Sequence, residues 1–127
     1  MMDKFRFRKF PVYTNSRLFV QEIRKIVFKY FPSEERFELR SQIMRALNSI
    51  VLNIAEGSAR NSDKDFARFL TTSFGSLNEV IACLDLAVDR HYVSKETADS
   101  LVTKATLLAD QITAFRKSLL DTVVTSH

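Results

Sequence analysis

Two long apolar stripes constrain what this chain can become. Phe66, Leu70, Ser73, Leu77, Val80, Leu84 and Ala87 step by four and three without a slip. Ala98, Leu101, Ala105, Leu108, Ile112, Phe115 and Leu119 repeat the pattern. Only a helix keeps such positions on one side, because 3.6 residues per turn aligns i, i+3, i+4 and i+7. Breakers are scarce: the 127 residues hold two glycines and two prolines. Turns must therefore be few and helices long.

The first stripe predicts a helix over about Asp63 to Arg90, with Ala67, Phe74, Ile81 and Val88 as a second apolar row. Ser62, three residues before Asp65, resembles a capping pair for it. Gly75 lies in its interior at a cost of about 1 kcal/mol relative to alanine. Close approach of another helix at Gly75 and Ser76 is the expected offset. The second stripe predicts a helix capped by Ser94 and ending near Thr122.

Upstream, Gln42–Gly57 reads QIMRALNSIVLNIAEG. Ile43, Leu47, Ile50 and Ile54 form its inward face. Gln42, Arg45, Ser49, Asn53 and Glu56 form a polar ridge within roughly 80° of arc. This helix is expected to start after Ser33, with Glu34 and Glu35 in its first turn, and to stop at Gly57. Phe37, Met44, Val51 and Ala55 make a second apolar row, and Leu52 points elsewhere. So wide an apolar arc implies more than one packing partner. The ridge reads first as a register-setting seam, with Arg45 paired to Glu79 and Asn53 or Glu56 on the turn near Arg60–Ser62. A ridge that binds a ligand or nucleic acid and a solvated face are the alternatives.

A further helix is expected from about Asn15, capped by Thr14 or Asn15, to Tyr30, ended by Pro32. Its inward stripe is Phe19, Ile23, Ile26 and Tyr30. Pro11 argues against helix in the preceding stretch. The predicted organisation is a basic, aromatic arm over 1–13, an all-α antiparallel up-down-up-down four-helix bundle over 14–122, and a frayed end over 123–127.

Charge and chemistry narrow the function. The formal charge is +4, yet Lys4, Arg6, Arg8 and Lys9 against Asp3 concentrate it in the first ten residues. The other 117 residues hold 15 basic and 14 acidic side chains, which argues against a strongly basic body. Phe5, Phe7 and Phe10 interleave with the arm's cations. They can stack bases while the cations hold phosphates, or pack on the body or a neighbouring subunit. Candidate nucleic-acid contacts are Lys4, Arg6, Arg8, Lys9, Arg17 and Arg24. Cys83 is alone and expected to be buried in a reducing cytoplasm. His91 and His127 have no sequence neighbour that suggests a dyad, and no Glu-x-x-His or phosphate-cradling glycine motif occurs. No catalytic residue, metal, cofactor, small-molecule substrate or membrane span is expected.

The run from Phe37 to Glu79 resembles the four-helix-bundle proteins encoded in intervening sequences of bacterial 23S ribosomal RNA genes. Gln42, Arg45, Ala46, Ser49, Ile50 and the block Asn53-Ile54-Ala55-Glu56-Gly57 carry the likeness. Arg60, Ser62, Phe66, Phe69, Leu70, Gly75, Ser76 and Glu79 continue it. Pro32 and Glu35 fit its lead-in, and Val12-Tyr13 its first helix. The chain departs from the pattern at Thr71-Thr72-Ser73-Phe74. The resemblance implies a left-handed bundle, often a homopentamer, with no enzymatic activity. It also implies a relation to the accessory variability determinant of diversity-generating retroelements, which binds nucleic acid and a reverse transcriptase. The function expected is a non-enzymatic oligomeric bundle binding RNA or a nucleoprotein. The alternative is a protein–protein interaction scaffold.

Overall fold

A computed structural model describes residues 4–34 and 38–125, with side-chain surroundings described as far as residue 121. Four helices carry the fold: α1 (Pro11–Tyr30), α2 (Leu39–Ser58), α3 (Asp63–Asp89) and α4 (Lys95–Thr125). A 3-10 turn over Arg6–Lys9 precedes them. Among the described residues the α1 backbone runs beside those of α2 and α4, and the α3 backbone beside those of α2 and α4, so α1 and α3 are diagonal. Contacts run in opposite order along neighbours. Glu38, Ser49 and Ile50 of the α2 side meet Arg90, Ser76 and Ser73 of the α3 side. Asn15 and Glu22 of α1 meet Gln111 and Lys104 of α4. The expected antiparallel four-helix bundle is therefore what forms. Among the described residues there is no strand.

The stripes on α3 and α4 bury as read: Phe66 through Ala87 on α3, and Ala98 through Ile112 on α4, with Phe115 and Leu119 half-buried. Ser62 accepts the Asp65 amide at 3.1 Å, and Ser94 accepts that of Thr97 at 3.1 Å, so both serines cap as expected.

α1 departs from expectation. It starts at Pro11, not Asn15, because proline is well suited to the first helical position, where an amide proton has no helical partner. Phe10 before it is extended, at ψ 128°. The buried stripe is Val12, Ser16, Phe19, Ile23 and Val27. Ile26 is half-buried and Tyr30 exposed, because the chain turns out of the helix there and Phe31 enters the core instead. Ser16 sits in the core because its hydroxyl donates to Tyr13 O at 2.7 Å.

α2 starts at Leu39, so Ser33 does not cap it; Ser33 and Glu34 lie in a short 3-10 turn. Glu38, at φ −131° and ψ −107°, is off helical geometry and blocks any extension backwards. Glu35 and Phe37 fall outside the described residues. Gly57 does not stop the helix. It is buried within the last turn, and Ala59 caps it in right-handed geometry. A Cβ on Gly57 would lie 2.7 Å from Phe66 Cδ1 and 2.7 Å from Phe69 Cβ. Its role is close helix approach, which was expected at Gly75 and Ser76 and which Ser76 also shows, its hydroxyl 2.7 Å from that of Ser49. Gly75 is exposed, with nothing within 4 Å of a Cβ built there.

α3 and α4 join through His91, at φ 62°. His91 N donates to Val88 O at 3.0 Å and Tyr92 N to Ala87 O at 2.9 Å, the two bonds of a Schellman ending. Tyr92 then packs against Phe31, ring centroids 5.7 Å apart. α4 runs on to Thr125, past the expected Thr122; the last two residues lie outside the described set.

Candidate nucleic-acid interface

The ridge on α2 becomes a hydroxyl relay against α3. Asn53 Nδ2 donates to Ser49 O at 2.8 Å and to Ser49 Oγ at 3.0 Å. Ser49 and Ser76 hydroxyls are 2.7 Å apart, and Ser76 donates onward to Thr72 O at 3.1 Å. A hydroxyl has one proton, so Ser49 is the donor to Ser76. Beside them Ser73, inside the Thr71–Phe74 departure, donates to Ile50 O at 2.8 Å. These small residues let the two backbones approach, and no buried side-chain polar atom among the described residues lacks a partner.

Two expected ridge contacts do not form. Gln42, not Arg45, reaches Glu79, at 3.4 Å, while Arg45 projects into solvent. Asn53 bonds within its own helix and Glu56 is exposed, so neither holds the turn. Arg60 does shape the turn, donating to Asp65 at 2.9 Å and lying 5.2 Å from the Phe69 ring centre.

The described part of the arm, from Lys4, folds onto the body through the 3-10 turn. Phe7 packs on Tyr13 at 4.9 Å, and Phe10 joins Phe66 and Phe115 at 6.3 and 5.4 Å. Arg6 donates to Ser58 O at 3.1 Å and lies over the Phe10 ring. Phe5 and the cations Lys4, Arg8 and Lys9 are exposed.

The candidate cations are not gathered in one place. The arm lies at the start of α1, near the end of α2. Arg17 lies along α1, 5.6 Å from the Tyr13 ring centre. Arg24 lies further on, about 10 Å along the axis from Arg17. There the structure adds residues not among the candidates. Phe28 is 51% exposed, and the guanidiniums of Arg24 and Arg40 lie 4.9 and 4.2 Å from its ring centre. Lys25 and Lys29 flank it around an open hollow. The Arg24–Phe28 spacing of four was visible in the sequence; Arg40 was not, since it comes from another helix.

The neutral body conceals a segregation of charge. α1 carries Arg17, Arg24, Lys25 and Lys29 against Glu22, a net of +3. Glu22 is itself bound by Lys104 at 2.9 Å. α3 carries Asp63, Asp65, Glu79, Asp85 and Asp89 against Lys64 and Arg68, a net of −3.

Cys83 is buried; burial first, then nearby Glu79, pushes its thiol pKa above the ordinary 9.0. Among the described residues no group of three or more His, Cys, Asp or Glu is placed to hold a metal, and no helix is long and apolar enough to cross a membrane.

A search of curated proteins finds no match. Among solved structures the chain is similar to a protein of unknown function from the S23 ribosomal protein family of Bacteroides thetaiotaomicron. The TM-score is 0.70 at 24% identity, covering 84% of this chain and 98% of that one. That likeness supports the fold alone. Neither comparison indicates an enzymatic family. The profile of the 23S rRNA-intervening sequence proteins matches residues 8–114, which include α1, the Ser49–Ser76 seam and Gly57. The chain therefore belongs to the 23S rRNA-intervening sequence protein family.

Proposed function

We propose that this protein is a non-enzymatic helical bundle that works in the cytoplasm, assembles with copies of itself as a homopentamer, and binds RNA or a nucleoprotein. Its contacts are the arm cations Lys4, Arg6, Arg8 and Lys9 together with Arg17 and Arg24. The observation that carries this reading is the α1 flank: four cations against a single, already neutralised acid, with an exposed aromatic among them. Cations release counterions from a polyanion, and an exposed ring offers a base a surface to stack on. The family's tie to intervening sequences of ribosomal RNA genes supports an RNA partner, and a kinship with the accessory variability determinant of diversity-generating retroelements is part of the same proposal. Self-assembly is supported by exposed Leu18, Leu52, Leu86 and Leu107 and by the opposed charges of α1 and α3.

Titration of full-length protein with RNA across a salt series tests the reading. Binding that weakens as salt rises, and weakens again when residues 1–10 are removed, is the expected result. No binding at low salt overturns it. Sedimentation that finds only monomer at high protein concentration overturns the assembly.

A protein–protein scaffold without nucleic acid is the second reading. It is favoured by the α1–α4 groove, where Leu18 and Leu107 stand exposed on either rim. Capture of one specific protein partner, unaffected by nuclease, supports it.

A further inference from the structure

We propose that α1 and α2 form a track for single-stranded nucleic acid, in which an unpaired base stacks at Phe28 between the reach of Arg24 and Arg40. This deepens, and rests on, the nucleic-acid reading above. Arg17, Gln21, Arg24 and Phe28 follow one another by four, three and four, so they share a stripe of α1 on the side facing α2. A shallow groove of about 300 Å³ lies along that stripe. Val20, Val51 and Leu52 line it, with the amides of Gln21 and Asn48 beside them and Arg17 at one end. Gln21 also borders the hollow around Phe28, Arg24, Lys25 and Lys29, so groove and hollow are adjacent.

Three observations point to a single strand. First, neither the groove nor the hollow is lined by a carboxylate, and among the described residues none forms an ion pair with Arg24, Lys25, Lys29 or Arg40. Arg24 and Arg40 rest on the Phe28 ring and Lys29 on that of Tyr30, and no carboxylate among the described residues competes with a phosphate for them. Second, of the described phenylalanines only Phe5 and Phe28 are more than half exposed, and Phe28 alone has two guanidiniums over it. A guanidinium plane and an aromatic ring both stack on bases, and only an unpaired base presents its face. Third, the α1–α4 seam is stitched by Asn15–Gln111 and Glu22–Lys104, whereas no side-chain hydrogen bond or ion pair among the described residues joins α1 to α2. Across the α1–α2 seam Arg40 rests on the Phe28 ring, with no hydrogen bond among the described residues, whereas the α1–α4 seam is crossed by hydrogen bonds.

The test compares a short unstructured RNA, the DNA of the same sequence, and the RNA duplex, each at several salt concentrations. Both single strands are expected to bind more tightly than the duplex. Phe28→Ala should weaken both on the order of tenfold and the duplex little, from the energy of one base stack. Phe28→Trp should restore binding, and a fluorescent base analogue should be quenched by the wild-type and Phe28→Trp proteins but not by the alanine variant. Arg24→Ala should lower the slope of log K against log salt by about 0.7. If Phe28→Ala leaves single-strand affinity intact while Arg24→Glu with Lys25→Glu abolishes binding, the surface holds phosphates only. The base-stacking track is then wrong and the broader reading survives. Equal losses for duplex and single strand also overturn the track. If the wild-type protein binds no nucleic acid, both the track and the nucleic-acid reading fall.

Discussion

Replacing Gly57 by alanine should destabilise the bundle, although alanine is the better helix former. In an open helix the exchange stabilises by about 1 kcal/mol. At Gly57 the new methyl would sit 2.7 Å from Phe66 Cδ1 and 2.7 Å from Phe69 Cβ, far inside ordinary contact. Phe69 Cβ moves only with the α3 backbone. The Phe66 ring is held by Phe10 and Phe115, at centroid distances of 6.3 and 5.3 Å. Relief therefore requires α2 and α3 to part, which breaks into the Ser49–Ser76 relay. Overpacking of this kind costs about 1–3 kcal/mol, and two fixed neighbours place it in the upper half. The net loss is about 1–2 kcal/mol, or a fall in Tm of roughly 5 °C for a domain of this size. Gly75→Ala is the internal control. Nothing lies within 4 Å of its Cβ, so it should gain about 1 kcal/mol and raise Tm. Urea denaturation of both variants with unchanged m-values is the assay. If Gly57→Ala proves as stable as wild type, or if both variants shift the same way, the close-approach account of Gly57 fails.

Three further outcomes follow from the same geometry. His91→Gly should stabilise by about 1 kcal/mol, since φ is 62° there, while His91→Val should destabilise; thermal melts of both check the sign. Ser76→Ala removes the acceptor for Ser49 and the donor to Thr72 O, and should cost about 1 kcal/mol in chemical denaturation, more if Ser49 is left unpaired. Cys83 keeps its proton to higher pH when folded than unfolded, so its contribution is intact below the ordinary 9.0 and is lost as pH rises towards the folded value. Stability of wild type should fall more steeply than that of Cys83→Ala across that range, and a matching slope in the two proteins would remove the thiol from the account.

Much of the fold was legible because burial follows period. The α3 and α4 stripes needed no information beyond their own helices, and each is headed by a serine whose hydroxyl accepts an amide. Errors arose where one residue type serves two physical ends. Pro11 breaks a helix from within but begins one well, and reading it as a breaker displaced the start of α1. Val12 and Ser16 then dropped out of the predicted core. Gly57 looked like an ending because glycine tolerates left-handed geometry, yet its missing side chain matters for space against Phe66 and Phe69. The candidate interface was legible only in part. Arg17 and Arg24 could be picked out as surface cations on α1, but Phe28 acquires its second guanidinium from Arg40, across a helix boundary. A distance between helices has no trace in the spacing of either one.

The segregation of charge has a kinetic consequence. α1 and α3 are diagonal, so with neighbouring axes about 8–10 Å apart the +3 and −3 flanks lie roughly 13 Å from each other. That exceeds the screening length of about 10 Å at 0.1 M salt. The molecule is thus an electric dipole across its width, and it turns α1 towards an approaching polyanion before contact. On the proposed function, an RNA strand and the α3 flank of a second copy would both be drawn to the α1 side, and raising salt should weaken both attractions together.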